Sequence, residues 1–245
     1  MSATRGARRS HRPRVTKDPD VRRDELLDIA WELCRDDGFE AMSIDQLTRA
    51  AGVAKGTFYL YFASRDALLE ALAQRVGEAP FRQLAAAAAA ATGAASQRLR
   101  LIMNAACTYK VTSADLTDAA LLYQPGNLAL RHRAFAAWRG HTRRLLLPVV
   151  RDGQSDGSLR VTDAEVTTDL LVLLWFEAAD QLWKRALDAP DADALGDLIL
   201  AGDMTLSQAQ ERMLGVPEGT YAVLEGPELV RRACQLARLL SDGSV

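Results

Sequence analysis

Residues 43–69 read SIDQLTRAAGVAKGTFYLYFASRDALL, and the fold is decided in this stretch. Ser43 precedes an apolar run of helical period, and Gln46 follows three residues later. That is the spacing of a capping box: the hydroxyl accepts from the first turn's N–H groups while the amide reaches back. Ile44, Leu47 and Ala51 form one inner face, and Gly52 follows where a tight turn needs a residue tolerant of positive φ. The spacing predicts a very short third helix over 54–62. Phe58 and Phe62 lie one turn apart to pack inward, and Lys55 and Tyr59 lie one turn apart on another side. Ser64 is placed to cap a fourth helix through Leu68, Leu69, Leu72 and Val76, stopping near Pro80. Upstream, residues 19–37 carry Leu26, Leu27, Ala30, Leu33 and Cys34 on one helical face, and Gly38 ends that first helix.

A helix, a glycine-containing turn and a second short helix allow the second helix to enter a DNA major groove by its N-terminal end while the first lies across the backbone. Lys55 supplies a cation at that end, Thr57 a hydroxyl, and Tyr59 and Tyr61 phenolic donors, while Gly56 leaves room for sugar-phosphate to approach. An αα-corner in any helical protein has the same turn but needs no Lys, Thr and Tyr on one short helix. The run 43–69, together with Gly38-Phe39 and the pattern of residues 23–33, resembles the N-terminal DNA-binding domain of the TetR family of bacterial transcriptional regulators. The resemblance covers about residues 22–72. It implies an all-α homodimer with an N-terminal helix-turn-helix three-helix DNA-binding domain on a palindromic operator. It also implies a larger, variable C-terminal helical domain that dimerises and usually holds an effector pocket.

Carried over by position, the resemblance assigns Lys55, Gly56, Thr57, Tyr59 and Tyr61 to the recognition helix. It assigns Ser43 to a phosphate at the start of helix two, where the dipole favours an anion. Arg65 takes the place of the family's usual phosphate-binding Lys, and a guanidinium is expected to hold that phosphate at least as well. Two departures stand out. Ala54 replaces a common Ser, removing a hydroxyl that caps helix three or touches a phosphate. Thr48 replaces a small Ala between the two helices and is expected to alter their crossing slightly.

Three units follow along the chain: a basic arm over 1–20, the helix-turn-helix domain over 21–70, and an effector-binding and dimerisation domain over 71–245. The first 23 residues hold eight Arg or Lys against Asp18 and Asp20, so the body carries the negative excess behind a net charge of −2. Such an arm either is a solvated tail or meets a polyanion, by phosphate contacts or in the adjacent minor groove. Beyond residue 81, helical spacing predicts helices over 96–111, 115–123, 127–151, 162–187, 192–200, 206–214 and 228–240, with an alanine-rich stretch over 84–95 and a possible kink at Pro148. Residues 215–227 are the least helical part, extended or looped. By analogy with the family, helices 162–187 and 228–240 form an intersubunit four-helix bundle, although intramolecular packing explains their stripes equally well. Residues 201–226 exceed the simplest family pattern and either lengthen the dimer interface or cover the pocket.

Pocket candidates are aromatic and polar residues on the long helices: Tyr109, Tyr123, Trp138, Trp175, Phe176, Glu177, Asp180 and Trp183. Gly153-Gln-Ser155-Asp-Gly157 fits G-x-S-x-G, but that motif is a nucleophile elbow only between a strand and a helix, and a polar loop is expected here. His132 and His141 fall near opposite sides of one helix and cannot share a metal. Gly52 to Thr57 lacks the Gly-Lys pair of a P-loop. Three scattered cysteines, Cys34, Cys107 and Cys234, define neither a disulfide framework nor a metal knuckle.

With 245 residues, 49% hydrophobic and 25% charged, the chain has the composition of a globular protein rather than a disordered one. Its longest apolar runs fall short of the roughly 18 residues that cross a bilayer. No secretory signal is visible, so a cytoplasmic location is expected. The expected function is a ligand-released repressor binding operator DNA as a homodimer, with a small-molecule effector, no cofactor and no enzymatic activity. A constitutive regulator without effector is the alternative, and a hydrolase using Ser155 the remote one.

Overall fold

The structure is a computed structural model and describes residues 18–112, 121–178, 180–182, 185 and 192–221. Among them every regular element is helical: α1 (Pro19–Asp36), α2 (Ile44–Ala50), α3 (Lys55–Tyr61), α4 (Arg65–Ala90) and α5 (Ala95–Thr112). A 3-10 turn (Pro125–Asn127) then leads into α6 (Leu128–Asp156). After it come α7 (Ala164–Leu173), a π-helical turn (Leu174–Ala178) and α8 (Ala192–Leu214).

The helix starts follow local chemistry. Asp18 caps α1 by accepting from Asp20 N at 3.0 Å. Ser43 caps α2 with both halves of the capping box formed. Ser64 caps α4, and Asp163 caps α7 by accepting from Glu165 N and Val166 N. Gly38 and Gly52 take φ of +83° and +64°, the left-handed conformation that turns the chain out of α1 and between α2 and α3.

Two apolar cores result among the described residues. The first joins Leu26, Ala30 and Cys34 of α1 to Leu47, Phe58, Phe62, Leu68 and Leu72, and it also takes in Leu121, Leu122, Leu130 and Ala134 from the C-terminal part. The second joins Leu84, Leu99, Ile102, Leu146, Val150, Leu171, Leu214 and Tyr221. Helix α4 runs through both, packing chiefly on α6 and α5.

Three expected helix ends move. α4 does not stop near Pro80 but passes through it to Ala90. The proline sacrifices one helical N–H bond, at on the order of 3 kcal/mol, whereas Leu84 is buried beyond it and the alanine run favours helix. α6 continues to Asp156, past the expected loop, because Gly153 lets Leu159 and Ala95 press on its last turn: a Cβ there would lie 2.5 Å from Leu159 Cδ1. Gly157, at φ +74°, ends it. The two helices expected over 192–214 are one, α8, whose Gly202 lies against Leu182. The arm up to residue 17, most of the expected 115–123 helix and the expected 228–240 helix lie outside the described residues.

Candidate nucleic-acid interface

Phe58 and Phe62 are buried and anchor α3 from beneath, their rings 5.5 Å apart. A helix of 3.6 residues per turn pinned on that side turns Lys55, Gly56, Tyr59 and Leu60 outward. Tyr59 is 50% exposed and Leu60 79% exposed. Tyr59 stands edge-on against Phe58 at 5.2 Å, which holds its ring upright. Open space surrounds the position a Cβ on Gly56 would take, so a backbone can approach there. Thr57 and Tyr61 are half-buried, and Tyr61 packs against the first core.

Lys55 forms an ion pair with Asp45 of α2, Nζ to Oδ1 2.9 Å. The hydrogen bond and charge of Asp45 raise the lysine's pKa, so Lys55 is fully cationic at neutral pH. Ala54 begins α3 without a side-chain cap. Thr48 is buried, and its hydroxyl donates to Ile44 O at 2.9 Å within its own helix, so no unsatisfied group faces α3.

Arg65, expected at a phosphate, also makes bonds within the protein. Its Nε donates to Met42 O at 3.1 Å, and its Nη2 donates to the carbonyls of Phe39 and Glu40. Its guanidinium also covers the Phe39 ring at 4.2 Å. The side chain ties the first turn of α4 to the connection between α1 and α2. Sequence reading overlooked Leu60 and Asp45. A large apolar residue inside an aromatic run is the signal for the first, but a seven-residue helix does not fix its own face.

The pocket candidates divide. Tyr123, Phe135, Trp138 and Phe176 form a chain of ring contacts: Tyr123 to Phe135 at 6.4 Å, Phe135 to Trp138 at 5.3 Å and Phe135 to Phe176 at 6.0 Å. Phe135 was not singled out from sequence, although it lies one turn from Trp138. Asp180 is buried near Tyr123, and burial followed by that carboxylate raises the phenol's pKa far above its usual value. Trp138 Nε1 is buried with no hydrogen-bond acceptor among the described residues. Trp175 instead donates to Gln210 Oε1 of α8 at 2.7 Å. Glu177 is exposed and paired with Arg139 at 2.7 Å. The side chains of Tyr109 and Trp183 lie outside the described residues.

Ser155 lies in the last turn of α6, not at a strand-to-helix elbow. Among the described residues no three His, Cys, Asp or Glu side chains gather as a metal site, and no helix is long and apolar enough to cross a membrane.

The short helix pair, with its second member exposed and pinned by two phenylalanines, is a helix-turn-helix unit set on a larger helical body. Residues 26–72 match the family model for bacterial regulatory proteins of the tetR family. Over these residues the chain is similar to the TetR family. It is 40% identical over 53 residues to YvdT of Bacillus subtilis, an uncharacterized HTH-type transcriptional regulator, covering 22% of this chain and 27% of that one. The same figures hold for NemR of Escherichia coli K12, an HTH-type transcriptional repressor. The chain spans about a quarter of the length of these curated relatives. The structure of reduced E. coli NemR superposes with TM-score 0.50 at 19% identity, over 80% of this chain and all of that one. A solved structure from Pseudomonas aeruginosa PAO1 superposes with TM-score 0.52 at 22% identity, over 80% and 95%. At these identities the structural likeness speaks for the fold.

Proposed function

We propose that the protein is a homodimeric transcriptional regulator of the cytoplasm that binds a palindromic operator and is released from it by a small molecule. The observation that carries this reading is the outward row Lys55, Gly56, Tyr59 and Leu60 on a helix whose other side is buried. Lys55 and Ser43 serve phosphates, Thr57 and the phenols of Tyr59 and Tyr61 serve bases or phosphates, and Leu60 suits a thymine methyl. Arg65 contributes through the connection it holds.

Dimerisation is supported by exposed apolar residues at helical spacing, Val166, Leu170 and Leu173 on α7 with Leu200 and Met204 on α8. Two-fold symmetry then implies half-sites separated by about 34–36 Å or a multiple of it. The effector site is assigned to Tyr123, Trp138 and Phe176 with Asp180, Phe135 completing the aromatic wall. Release follows if the effector binds better to the conformer whose recognition helices are mis-spaced.

The test is in vitro selection of duplex DNA by the full-length protein, then fluorescence anisotropy on the selected and a scrambled duplex across a salt series. A preference of at least about a hundredfold is expected for a specific regulator. Equal weak binding to both sinks the reading. Binding that no compound in a broad effector screen weakens supports a constitutive regulator instead.

A further inference from the structure

We infer that Asn127 is a positioning residue for DNA binding: it clasps the connection between α1 and α2 and so ties operator affinity to the start of α6. The inference rests on the DNA-binding reading above and adds a regulatory contact to it. Asn127 is polar, fully buried and 88 residues from its nearest partner in the N-terminal domain. Its Oδ1 accepts from Phe39 N at 2.7 Å, and its Nδ2 donates to Cys34 O at 3.0 Å and to Leu121 O at 3.1 Å. Beside it, Gly126 O accepts from Glu40 N at 3.0 Å, and Glu40 Oε1 accepts from Ala129 N at 2.8 Å. That last bond satisfies one of the N–H groups a helix start leaves unpaired. The two backbones are in direct contact, since a Cβ on Gly38 would lie 2.6 Å from Gly126 Cα.

The peptide groups of Phe39 and Glu40 are thereby held from two sides. Their N–H groups point to the turn before α6, and their carbonyls are taken by Arg65 at the start of α4. Three residues further on, Ser43 opens α2. The start of α4 therefore cannot tilt against the start of α6 without breaking the bonds of Arg65 or those of Asn127. Buried amide bonds of this kind open as a set, because an unpaired buried polar group is costly. Since coupling is reciprocal, DNA must tighten the clasp by the factor by which the clasp tightens DNA binding.

The experiment uses the full-length protein and a duplex it selects in vitro. Hydrogen exchange of residues 121–133 is followed with and without saturating duplex, and affinity is measured by anisotropy. In the wild type, duplex slows exchange there at least threefold. Asn127→Asp keeps the shape but turns a carboxylate toward two carbonyls. It is expected to bind duplex at least tenfold more weakly and to lose the DNA-dependent protection, with its helical circular dichroism retained. Lys55→Ala weakens binding yet keeps that protection at saturation, which separates a clasp from a contact residue. If Asn127→Asp fails to fold, Glu40→Ala removes only the acceptor for Ala129 N, and a loss of at least threefold is expected. Wild-type exchange unmoved by duplex, or a folded Asn127→Asp, or Glu40→Ala where that variant does not fold, binding within twofold of wild type, overturns the clasp while leaving the DNA-binding reading intact. A wild type that selects no duplex overturns both.

Discussion

Trp138 of α6 approaches Gly77 of α4 so closely that a Cβ on the glycine would fall 2.6 Å from the indole Nε1. Phe81 closes the same spot, 6.3 Å from the Trp138 ring and 2.6 Å from that Cβ position. Glycine inside a helix is ordinarily less favourable than alanine by roughly 0.5–1 kcal/mol. Here the contact reverses the sign, because overpacking costs about 1–3 kcal/mol. Gly77→Ala is expected to lower stability by about 1–2 kcal/mol in urea denaturation, and an equal or higher midpoint counts against close packing at this point.

Tyr59→Ala and Leu60→Ala are expected to weaken binding to a selected duplex without changing the oligomeric state, which analytical ultracentrifugation checks. For Tyr59 the loss is on the order of 1–3 kcal/mol, the size of one good base contact. For Leu60 it is concentrated at A·T positions of the half-site. Unchanged affinity removes either residue from the interface.

Ser43→Ala removes the half of the capping box in which Gln46 N donates to Ser43 Oγ, together with the Oγ to Gln46 Oε1 bond, and leaves the bond from Ser43 N to Gln46 Oε1. The expected cost is about 1 kcal/mol, read as a lower melting temperature. Ser43→Asp is expected to restore the cap yet weaken DNA binding by its charge, separating the two roles.

Arg65→Lys is not a conservative change at this site. A lysine cannot span the carbonyls of Phe39, Glu40 and Met42 together, because those bonds need the planar fork of a guanidinium. Both Arg65→Lys and Arg65→Ala are expected to be destabilised, with proteolysis beginning in the α1–α2 connection. A lysine variant of wild-type stability returns this residue to the phosphate role.

Burial pushes the Cys34 thiol up to about 12, with Glu40 adding in the same direction. With Cys107 and Cys234 replaced by Ser, native protein at pH 8 is expected to resist a thiol reagent that labels it at once in urea. The folded value lies above the unfolded one, near 9. The thiol's contribution is therefore complete below pH 9 and is lost as pH rises toward 12, so urea midpoints fall across that window. Rapid native labelling at pH 8 contradicts the burial.

The helix-turn-helix unit is legible because its signals are local. The Ser43 and Gln46 pair, the positive φ at Gly38 and Gly52, and the Phe58 and Phe62 pair act within a few residues. The helix ends further on were not, since Pro80 and Gly153 are breakers by composition and are overridden by Leu84 and Leu159 packing from elsewhere. Asn127 could not be found from sequence, as its partners lie 88 and 93 residues away. The role of Arg65 was hidden for the same reason, its carbonyl partners being 23 to 26 residues upstream.

Residues 85–91, all alanine, carry no side chain beyond Cβ, while the opposite end of α4 is locked by Arg65, Leu68, Leu72 and Gly77. Knobs at one end and a bare shaft at the other make a rod gripped near its foot and polished at its tip. Such a rod resists sliding where Trp138 sits and yields where only methyl groups touch.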